Sequence, residues 1–273
     1  MKAVRPKKAL GQHFLTDLPT AQRIADTVDV RPDLPILEVG PGMGVLTQFL
    51  MQKGRVLKVA EIDDESVVFL RRTYPGLEDS IIEDDFLKMH LERTFGGQPF
   101  LLTGNYPYNI SSQIFFKMLD NRDLIPCCTG MIQKEVAERL AARPGTKAYG
   151  ILSVLVQAWY DVEYLFTVPP SVFNPPPKVQ SAVVCMRRND AHALGCNEDL
   201  FKRVVKTTFN QRRKMLRVNL RPLLAELGLL EEGKLPERLA DDFDLTRRPE
   251  QLSLAQFVEL TQRLEALLDA RQG

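Results

Sequence analysis

The chain has 273 residues, of which 44% are hydrophobic and 26% are charged, and these ordinary globular values exclude a disordered chain. The net charge of +1 does not by itself indicate a nucleic-acid-binding protein. No apolar run is long enough to span a bilayer, and no apolar segment typical of a secretory signal follows the basic N-terminus. The four cysteines have neither metal-ligand spacing nor disulfide-scaffold density. We therefore expect a cytoplasmic protein with reduced thiols, no bound metal and no membrane association.

The first two thirds of the chain alternate strand-like and helix-like segments. Strands are predicted over 36–40, 56–62, 80–82, 100–103 and 127–133, and helices over 64–73 and 134–142. Such alternation is typical of a doubly wound, Rossmann-like α/β sheet with parallel strands. Two further strands, 162–168 and 179–186, follow without a helix between them and are joined by a proline-rich segment. We expect this last pair to be antiparallel.

A polar, irregular segment over 187–197 marks the predicted domain boundary. Beyond it, helices are predicted over 200–209, 214–227 and 253–268, the last with apolar residues at helical spacing and Ser253 as its N-cap. The sequence therefore predicts an α/β domain over 1–188 and a small all-helical domain over 197–273.

Positive charge is concentrated in two blocks of the sequence. Residues 1–16 contain four lysines and arginines and no acidic residue, and residues 200–225 contain eight, again with no acidic residue. A local block can contact phosphates even on a neutral protein. Either block taken alone is more typical of a solvated helix surface.

A glycine-rich turn, Gly40-Pro41-Gly42-Met43-Gly44, follows the first long predicted strand and precedes a helix. Glycine permits a tight turn and a close approach of the backbone to a ligand. Glu61 ends the next strand about twenty residues on, where a carboxylate can accept both hydroxyls of a ribose. Nicotinamide and flavin cofactors use the same pattern, and it also occurs as a purely structural turn.

Two features favour S-adenosylmethionine as the cofactor. Glu38 precedes the glycine turn, where it can organise the loop near the methionine end of that molecule. Asp84, Asp85 and Phe86 end the third strand, where a carboxylate can bind the exocyclic amine of an adenine and an aromatic ring its face. Either aspartate can equally serve as a helix N-cap.

The sequence Asn105-Tyr106-Pro107-Tyr108 follows the fourth strand, at the edge where doubly wound sheets place their chemistry. An adenine amine is a poor nucleophile because its lone pair is delocalised into the ring. The Asn105 side-chain oxygen and a backbone carbonyl of the rigid Pro107 turn can accept its hydrogen bonds as positive charge develops. Tyr108 can stack on the base. In isolation the pattern is more typical of a turn with a buried tyrosine, but its place after the other motifs favours a reaction site.

These motifs together are similar to those of the ribosomal RNA adenine dimethyltransferase family, the bacterial kasugamycin-sensitivity enzyme and its relatives. The matching segments run nearly end to end: 7–15, 37–44, Glu61, Asp85, 105–110, 133–137, 172–179, 212–217 and 252–254. The resemblance implies cofactor contacts at His13, Leu15, Gly40, Glu61, Asp85 and Asn105. It also implies that Phe173 is a second aromatic wall, so that the target adenine lies between Phe173 and Tyr108. Tyr106 and His13 depart from the family pattern, which usually has leucine and asparagine there.

The resemblance further implies a substrate and a partner. The substrate is two adjacent adenosines in the 3'-terminal stem-loop of 16S rRNA, each dimethylated at N6 during biogenesis of the small subunit. We expect the enzyme to act as a monomer. Phosphate contacts are expected from the two basic blocks, at Lys7, Lys8, Arg212, Arg213, Lys214 and Arg217.

Two other functions share much of this evidence. The matching segment 7–15 resembles the family's N-terminal cofactor lid. An antibiotic-resistance methylase of 23S rRNA has the same lid, glycine turn and Asn-x-Pro-Tyr sequence, although the segment at Phe173 and the run at Arg212 favour the small-subunit enzyme. A ribosome-assembly factor with secondary catalysis is the second alternative. A nicotinamide dehydrogenase is disfavoured, because no acid or base for hydride transfer lies beside the glycine turn.

Overall fold

The computed structural model describes residues 7, 11–230 and 232–272, and these form two compact units. The first unit contains the described residues up to Glu138 together with Tyr160–Arg188. The second contains Arg139–Trp159 and the described residues from Asn189 onward. No helix among the described residues is long and apolar enough to cross a membrane.

A seven-stranded sheet forms the centre of the first unit. Its strands are β2 (Ile36–Val39), β3 (Leu57–Glu61), β4 (Ile81–Glu83), β5 (Leu101–Thr103), β6 (Cys127–Gln133), β7 (Tyr160–Val168) and β9 (Ser181–Arg188). They lie in the order β4-β3-β2-β5-β6-β9-β7. The pairings among β2 to β6 are parallel, whereas β9 pairs antiparallel with both β6 and β7. Every predicted strand is present, with bounds shifted by at most two residues, and the antiparallel order of the last pair is confirmed.

The reversed direction of β9 determines what lies at the catalytic edge of the sheet. In β6 the carboxyl end is Gln133, and its partner in β9 is the first residue, Ser181. Because β9 runs against its neighbours, the start of β9 and the proline-rich segment before it lie at the edge where the parallel strands end.

Helices of the first unit connect these strands: α1 (Leu18–Asp26), α2 (Thr47–Met51), α3 (Asp64–Thr73) and α4 (Ser111–Asp120). Strands β2, β5 and β6 are buried along almost their whole length, as expected for a sheet covered on both faces. Helix α1 begins at Asp17, whose carboxylate accepts a hydrogen bond from the Thr20 N–H at 2.9 Å.

A second, two-stranded sheet was not predicted from the sequence. Strand β1 (Phe14–Leu15) pairs antiparallel with β8 (Phe173–Asn174). The pairing continues beyond the strands, because the Thr16 N–H donates to the Val172 carbonyl at 2.8 Å. Residues of the predicted cofactor lid are thus held by main-chain hydrogen bonds to the segment that precedes β9.

Helices make up the second unit. They are α6 (Ile151–Gln157), α7 (Glu198–Asn210), α8 (Leu216–Asn219), α9 (Arg221–Glu226), α10 (Glu237–Ala240) and α11 (Leu254–Gln272), and α5 (Lys134–Leu140) crosses the boundary between the units. The ring of Phe209 packs against Tyr149 and Phe257, with centroids 6.2 and 5.8 Å away. Ser253, the predicted N-cap of α11, accepts a hydrogen bond on its hydroxyl from the Gln256 N–H at 3.3 Å.

Two features of the second unit differ from prediction. The segment Arg139–Trp159 belongs to it and not to the first domain, because side chains such as Tyr149 pack into its core. The single helix predicted over 214–227 is instead divided into α8 and α9, because Pro222 lacks an N–H and is tolerated only in the first turn of a helix.

Candidate active site

A cavity at the carboxyl edge of the sheet brings the predicted cofactor and reaction residues together. Of the predicted residues, those that line it are His13, Leu15, Gly40, Glu61, Asp85, Asn105, Pro107 and Tyr108. They come from segments far apart in sequence and meet here because parallel strands end at a common edge.

The glycine turn forms one side of this cavity. Gly40 has φ +66°, a conformation that strongly favours glycine, and a Cβ added there would lie 3.7 Å from the Pro107 ring. At Gly42, an added Cβ would lie 2.9 Å from the Phe14 ring. The turn therefore packs closely against both the reaction turn and the lid strand β1.

Glu61 lies at the end of β3 and is almost fully buried. Its carboxylate accepts hydrogen bonds from the N–H groups of Gly42, Ile62 and Asp63, at 2.9 to 3.0 Å. Burial raises the pKa of this carboxyl, although the three N–H groups oppose that shift by stabilising the charge. These bonds fix the carboxylate beside the glycine turn, as a ribose-binding acid requires.

Glu38 is the most deeply buried acid of the cavity, with 1% of its surface exposed. Its Oε2 atom accepts no hydrogen bond within the described residues. Burial raises the pKa of Glu38 to about 8. A buried carboxyl oxygen without a partner is costly, and a cationic ligand in the cavity would offset that cost.

Asp85 and Phe86 line the cavity on the side of β4. Asp85 Oδ1 accepts from the Leu87 N–H at 3.0 Å, which orients the carboxylate, while Phe86 is 4% exposed. The carboxylate and ring are thus adjacent, as the sequence predicts for a site that binds an adenine.

The reaction turn is anchored to β6 through Tyr106. Its N–H donates to the Met131 carbonyl at 3.0 Å, and its hydroxyl donates to the Thr129 carbonyl at 2.7 Å. The ring is 1% exposed and lies against Gly130, where an added Cβ would be 2.6 Å away from it. The Tyr106 ring therefore packs in the core, although the residue is also among those that line the cavity.

The amide of Asn105 is oriented by the lid. Its Nδ2 donates to the main-chain carbonyl of His13 at 3.1 Å. Because a side-chain amide has one donor end and one acceptor end, this bond assigns Nδ2 to the lid and leaves Oδ1 as an acceptor.

Tyr108 is half-buried and held on two sides. The His13 ring stacks against it, with centroids 5.4 Å apart and planes inclined by 29°. The Tyr108 hydroxyl forms a hydrogen bond with the Ser181 hydroxyl, and His13 Nδ1 lies 2.9 Å from the Pro175 carbonyl. Ser181 was not predicted from the sequence, since nothing in the local pattern distinguishes it from its neighbours.

Phe173 is not brought to the cavity. It is 4% exposed, belongs to the hydrophobic core of the first unit, and is absent from the residues that line the site. The Phe173 ring is therefore buried apart from the residues that line the cavity. The physical reason is the β1–β8 pairing, which draws the Phe173 segment against Leu15.

The basic residues predicted to contact RNA differ in their surroundings. Lys7 is ion-paired with Asp63 and Glu65, and Lys8 lies outside the described residues. Arg212 forms a hydrogen bond within the second unit, in which its Nε donates to the Glu250 carboxylate at 2.6 Å. By contrast, the exposed side chains of Arg213, Lys214 and Arg217 have no hydrogen bond or ion pair within the described ranges.

A parallel sheet with one reversed strand, a glycine turn with a buried acid beside it, and an oriented Asn-x-Pro-Tyr turn define an S-adenosylmethionine-dependent methyltransferase. The family model for ribosomal RNA adenine dimethylases matches residues 3–259. The chain belongs to the ribosomal RNA adenine dimethylase family, whose cofactor is S-adenosylmethionine, and it is an rRNA adenine methyltransferase.

Individual relatives agree with this assignment. A ribosomal RNA small subunit methyltransferase A of Bacteroides fragilis is 67% identical over 268 residues, covering 98% of this chain and 95% of that protein. The protein of the same name from Flavobacterium johnsoniae is 51% identical, with 97% and 98% covered.

Two solved structures are similar to the chain. The dimethyladenosine transferase from Plasmodium falciparum has a TM-score of 0.77 and 26% identity, covering 93% of this chain and 98% of that one. The 23S rRNA methyltransferase ErmE has a TM-score of 0.65 and 26% identity, covering 92% and 99%.

Proposed function

We propose that this enzyme dimethylates the N6 amines of two adjacent adenosines in the 3'-terminal stem-loop of 16S rRNA, during biogenesis of the small subunit. The observation that carries this proposal is the oriented amide of Asn105, whose Oδ1 remains an acceptor in the cofactor cavity. The names of relatives up to 67% identical, which specify the small subunit, support the choice of RNA.

The residues of the cavity suit the cofactor. Glu61 would accept the ribose hydroxyls, Asp85 the adenine amine, and the backbone at Gly40 would allow a close approach. Leu15 and His13 would cover the cofactor from the lid. When bound, S-adenosylmethionine supplies an electrophilic methyl group on a positively charged sulfonium.

Two acceptors on the reaction turn would activate the target amine. Asn105 Oδ1 is one. The Pro107 carbonyl is the other: it accepts from the Ile110 N–H at 3.2 Å, and a carbonyl oxygen has a second lone pair. Both stabilise the positive charge that develops on the nitrogen. The methylated amine then loses its proton readily, so no strong general base is required.

Tyr108 would hold the base in line for transfer. Tyr108 and Asn105 line the same cavity, and stacking on an aromatic ring is a common way to retain an unpaired base. The role of Tyr108 is therefore positioning by contact with the substrate.

RNA contacts are assigned to the unpaired cations of the second unit. Arg213, Lys214 and Arg217 are exposed, and two apolar side chains among them, Met215 and Val218, are exposed by 39% and 40%. Cations with apolar neighbours suit a nucleic-acid surface, which offers phosphates and bare sugar or base faces. Arg212 has instead a structural role, through its bonds to Glu250 and the Thr146 carbonyl.

The segment that carries these exposed cations is held rigid by Asn219, which is buried. Its Nδ2 donates to the carbonyls of Thr208 and Lys214, at 2.8 and 3.1 Å. A preorganised turn loses less conformational entropy on binding than a mobile one, which supports its use as a docking surface.

A large-subunit methylase is the main competing function, because a 23S rRNA enzyme is also structurally similar. Small and large subunits that lack their own methylations separate the two when each is incubated with the enzyme and labelled cofactor. We expect label in the small subunit alone. Label confined to the large subunit would overturn the proposal.

The location and assembly of the enzyme complete the proposal. Its four cysteines are all free thiols, three of them buried, which suits a reducing cytoplasm. It acts there as a monomer and without a metal. Sedimentation of the purified enzyme tests the oligomeric state, and methylation activity measured with a chelator present tests the requirement for a metal. We expect a monomer that retains full activity.

A further inference from the structure

The hydroxyl group of Ser181 reaches the proposed base site from a strand that carries none of the predicted site residues. Ser181 is fully buried, and its Oγ forms a hydrogen bond with the hydroxyl of Tyr108 across 73 positions of sequence. The Ser181 hydroxyl is withdrawn from water, so it depends on the Tyr108 hydroxyl for a hydrogen-bond partner.

The backbone of Ser181 is fixed by its place in the sheet. It is paired with Gln133 of β6 on one side and with Val168 of β7 on the other. A hydroxyl on such an interior strand has little freedom to move. Since β9 is the reversed strand, this rigid hydroxyl lies at the edge where the reaction turn is found.

Two contacts therefore determine the position of the Tyr108 ring. The hydroxyl end is bonded to Ser181, and one ring face is covered by the His13 imidazole, with centroids 5.4 Å apart. A tyrosine has two side-chain torsions, and anchoring its tip as well as its face fixes both. Burial raises the pKa of the Tyr108 phenol, which keeps the hydroxyl protonated and able to donate.

We propose that Ser181 is a positioning residue for methyl transfer, which holds the Tyr108 ring at the angle needed to present the target adenine. The inference rests on the proposed stacking role of Tyr108. Ser181 touches neither cofactor nor base and acts only through the tyrosine. A misplaced ring lowers the rate of transfer, because in-line attack depends on the position of the base.

The test is a double-mutant cycle with Ser181→Ala, Tyr108→Phe and the combined variant. The full-length enzyme is loaded with S-adenosylmethionine and mixed with undermethylated small subunits, and the single-turnover rate of transfer is measured. We expect each of the three variants to be slower by about tenfold, since all lack the same hydrogen bond. Cofactor affinity, measured by calorimetry, should stay within about twofold of the original.

Three outcomes would overturn the inference: single variants that keep the original rate, losses that multiply in the combined variant, or a loss that resides in cofactor affinity. Ser153→Ala is the matched control, because Ser153 is also a fully buried serine with a hydrogen-bonded hydroxyl. It should lower the melting temperature without slowing transfer. If it slows transfer as much as Ser181→Ala does, general destabilisation explains the effect and the inference fails.

Tyr108→Ala, measured in the same series, separates this inference from the proposed function. Loss of transfer in Tyr108→Ala with unchanged rates in Ser181→Ala and Tyr108→Phe would reject the role of Ser181 alone. An unchanged rate in Tyr108→Ala would reject the stacking role itself.

Discussion

At the scale of single residues, the site depends on side chains whose orientation is imposed by neighbours. Asn105 lines the cavity, and its Oδ1 is left as an acceptor because its Nδ2 donates to the main-chain carbonyl of His13. Tyr108 is a platform because its hydroxyl and one face are occupied. The residue types were predictable from the sequence, whereas these orientations required the fold.

Replacing Tyr108 by alanine tests whether the target base stacks on its ring. The change removes the ring but leaves Glu61, Asp85 and the glycine turn intact, so cofactor affinity should remain within about threefold. Transfer should fall by about a hundredfold or more, because an unheld base rarely reaches the in-line position. Calorimetry with the cofactor and single-turnover methylation measure the two quantities. Unchanged turnover would refute the stacking role.

Replacing Glu38 by glutamine tests the buried acid through pH. The folded-state pKa of Glu38 is about 8, against an ordinary value of 4.5, so the unfolded chain binds fewer protons between those values. Glu38 therefore contributes least to the free energy of unfolding at high pH. Its contribution is fully present below about pH 4.5 and is lost as pH rises toward 8.

Melting temperatures of the ligand-free original and Glu38→Gln proteins provide the measurement. The melting temperature of Glu38→Gln minus that of the original protein should increase by at least about 3 °C from pH 5 to pH 8, since glutamine cannot ionise. A difference that stays constant across this range would show that Glu38 does not change its protonation in the folded protein.

At the scale of elements, the pairing of β1 with β8 explains why Phe173 differs from expectation. Sequence alone suggests a wall for the base, whereas the strand pairing places the ring in the core. This predicts that Phe173→Leu, which preserves most of the buried volume, keeps transfer within about threefold. Phe173→Ala should lower the melting temperature by about 10 °C, because it opens a cavity. If Phe173→Leu loses transfer with its melting temperature intact, the ring acts as a wall.

The elements themselves were largely predictable. Strand β6 was predicted with its true bounds, since most of its residues are apolar and it is buried along almost its whole length, and α3 because polar, helix-favouring residues follow a strand end. The break between α8 and α9 was missed because helical spacing outweighed Pro222. The contact of Ser181 with Tyr108 could not be foreseen, since it depends on the register of three neighbouring strands.

At the scale of the whole molecule, nearly neutral net charge conceals a local cationic surface. Arg213→Gln and Arg217→Gln should each weaken binding to small subunits and reduce the slope of log Kd against log salt by about 0.7 to 0.9, one phosphate contact each. Arg238→Gln is the matched control, an exposed arginine elsewhere in the second unit. Titrations over a range of KCl concentrations give the slopes. Equal changes in all three variants would indicate a nonspecific charge effect.

Arg212 lies beside these cations in the sequence, but we expect it to stabilise the fold and not to contact phosphate. Because its guanidinium is bonded to Glu250 and to the Thr146 carbonyl, Arg212→Gln should lower the melting temperature of the protein by several degrees. Its salt slope should change less than that of Arg217→Gln. Differential scanning calorimetry and the same titrations measure both. A variant with normal stability and a reduced slope would place Arg212 among the phosphate contacts.

The proposed dimethylation of adenines in 16S rRNA takes place in the cavity at the carboxyl edge of the sheet. Its most direct test is to map methylated positions by mass spectrometry after undermethylated small subunits react with the original enzyme or with Asn105→Ala. We expect N6,N6-dimethyladenosine at two adjacent positions of the 3'-terminal stem-loop, and its loss with Asn105→Ala. Methylation at another base or position, or full dimethylation by Asn105→Ala, would contradict it.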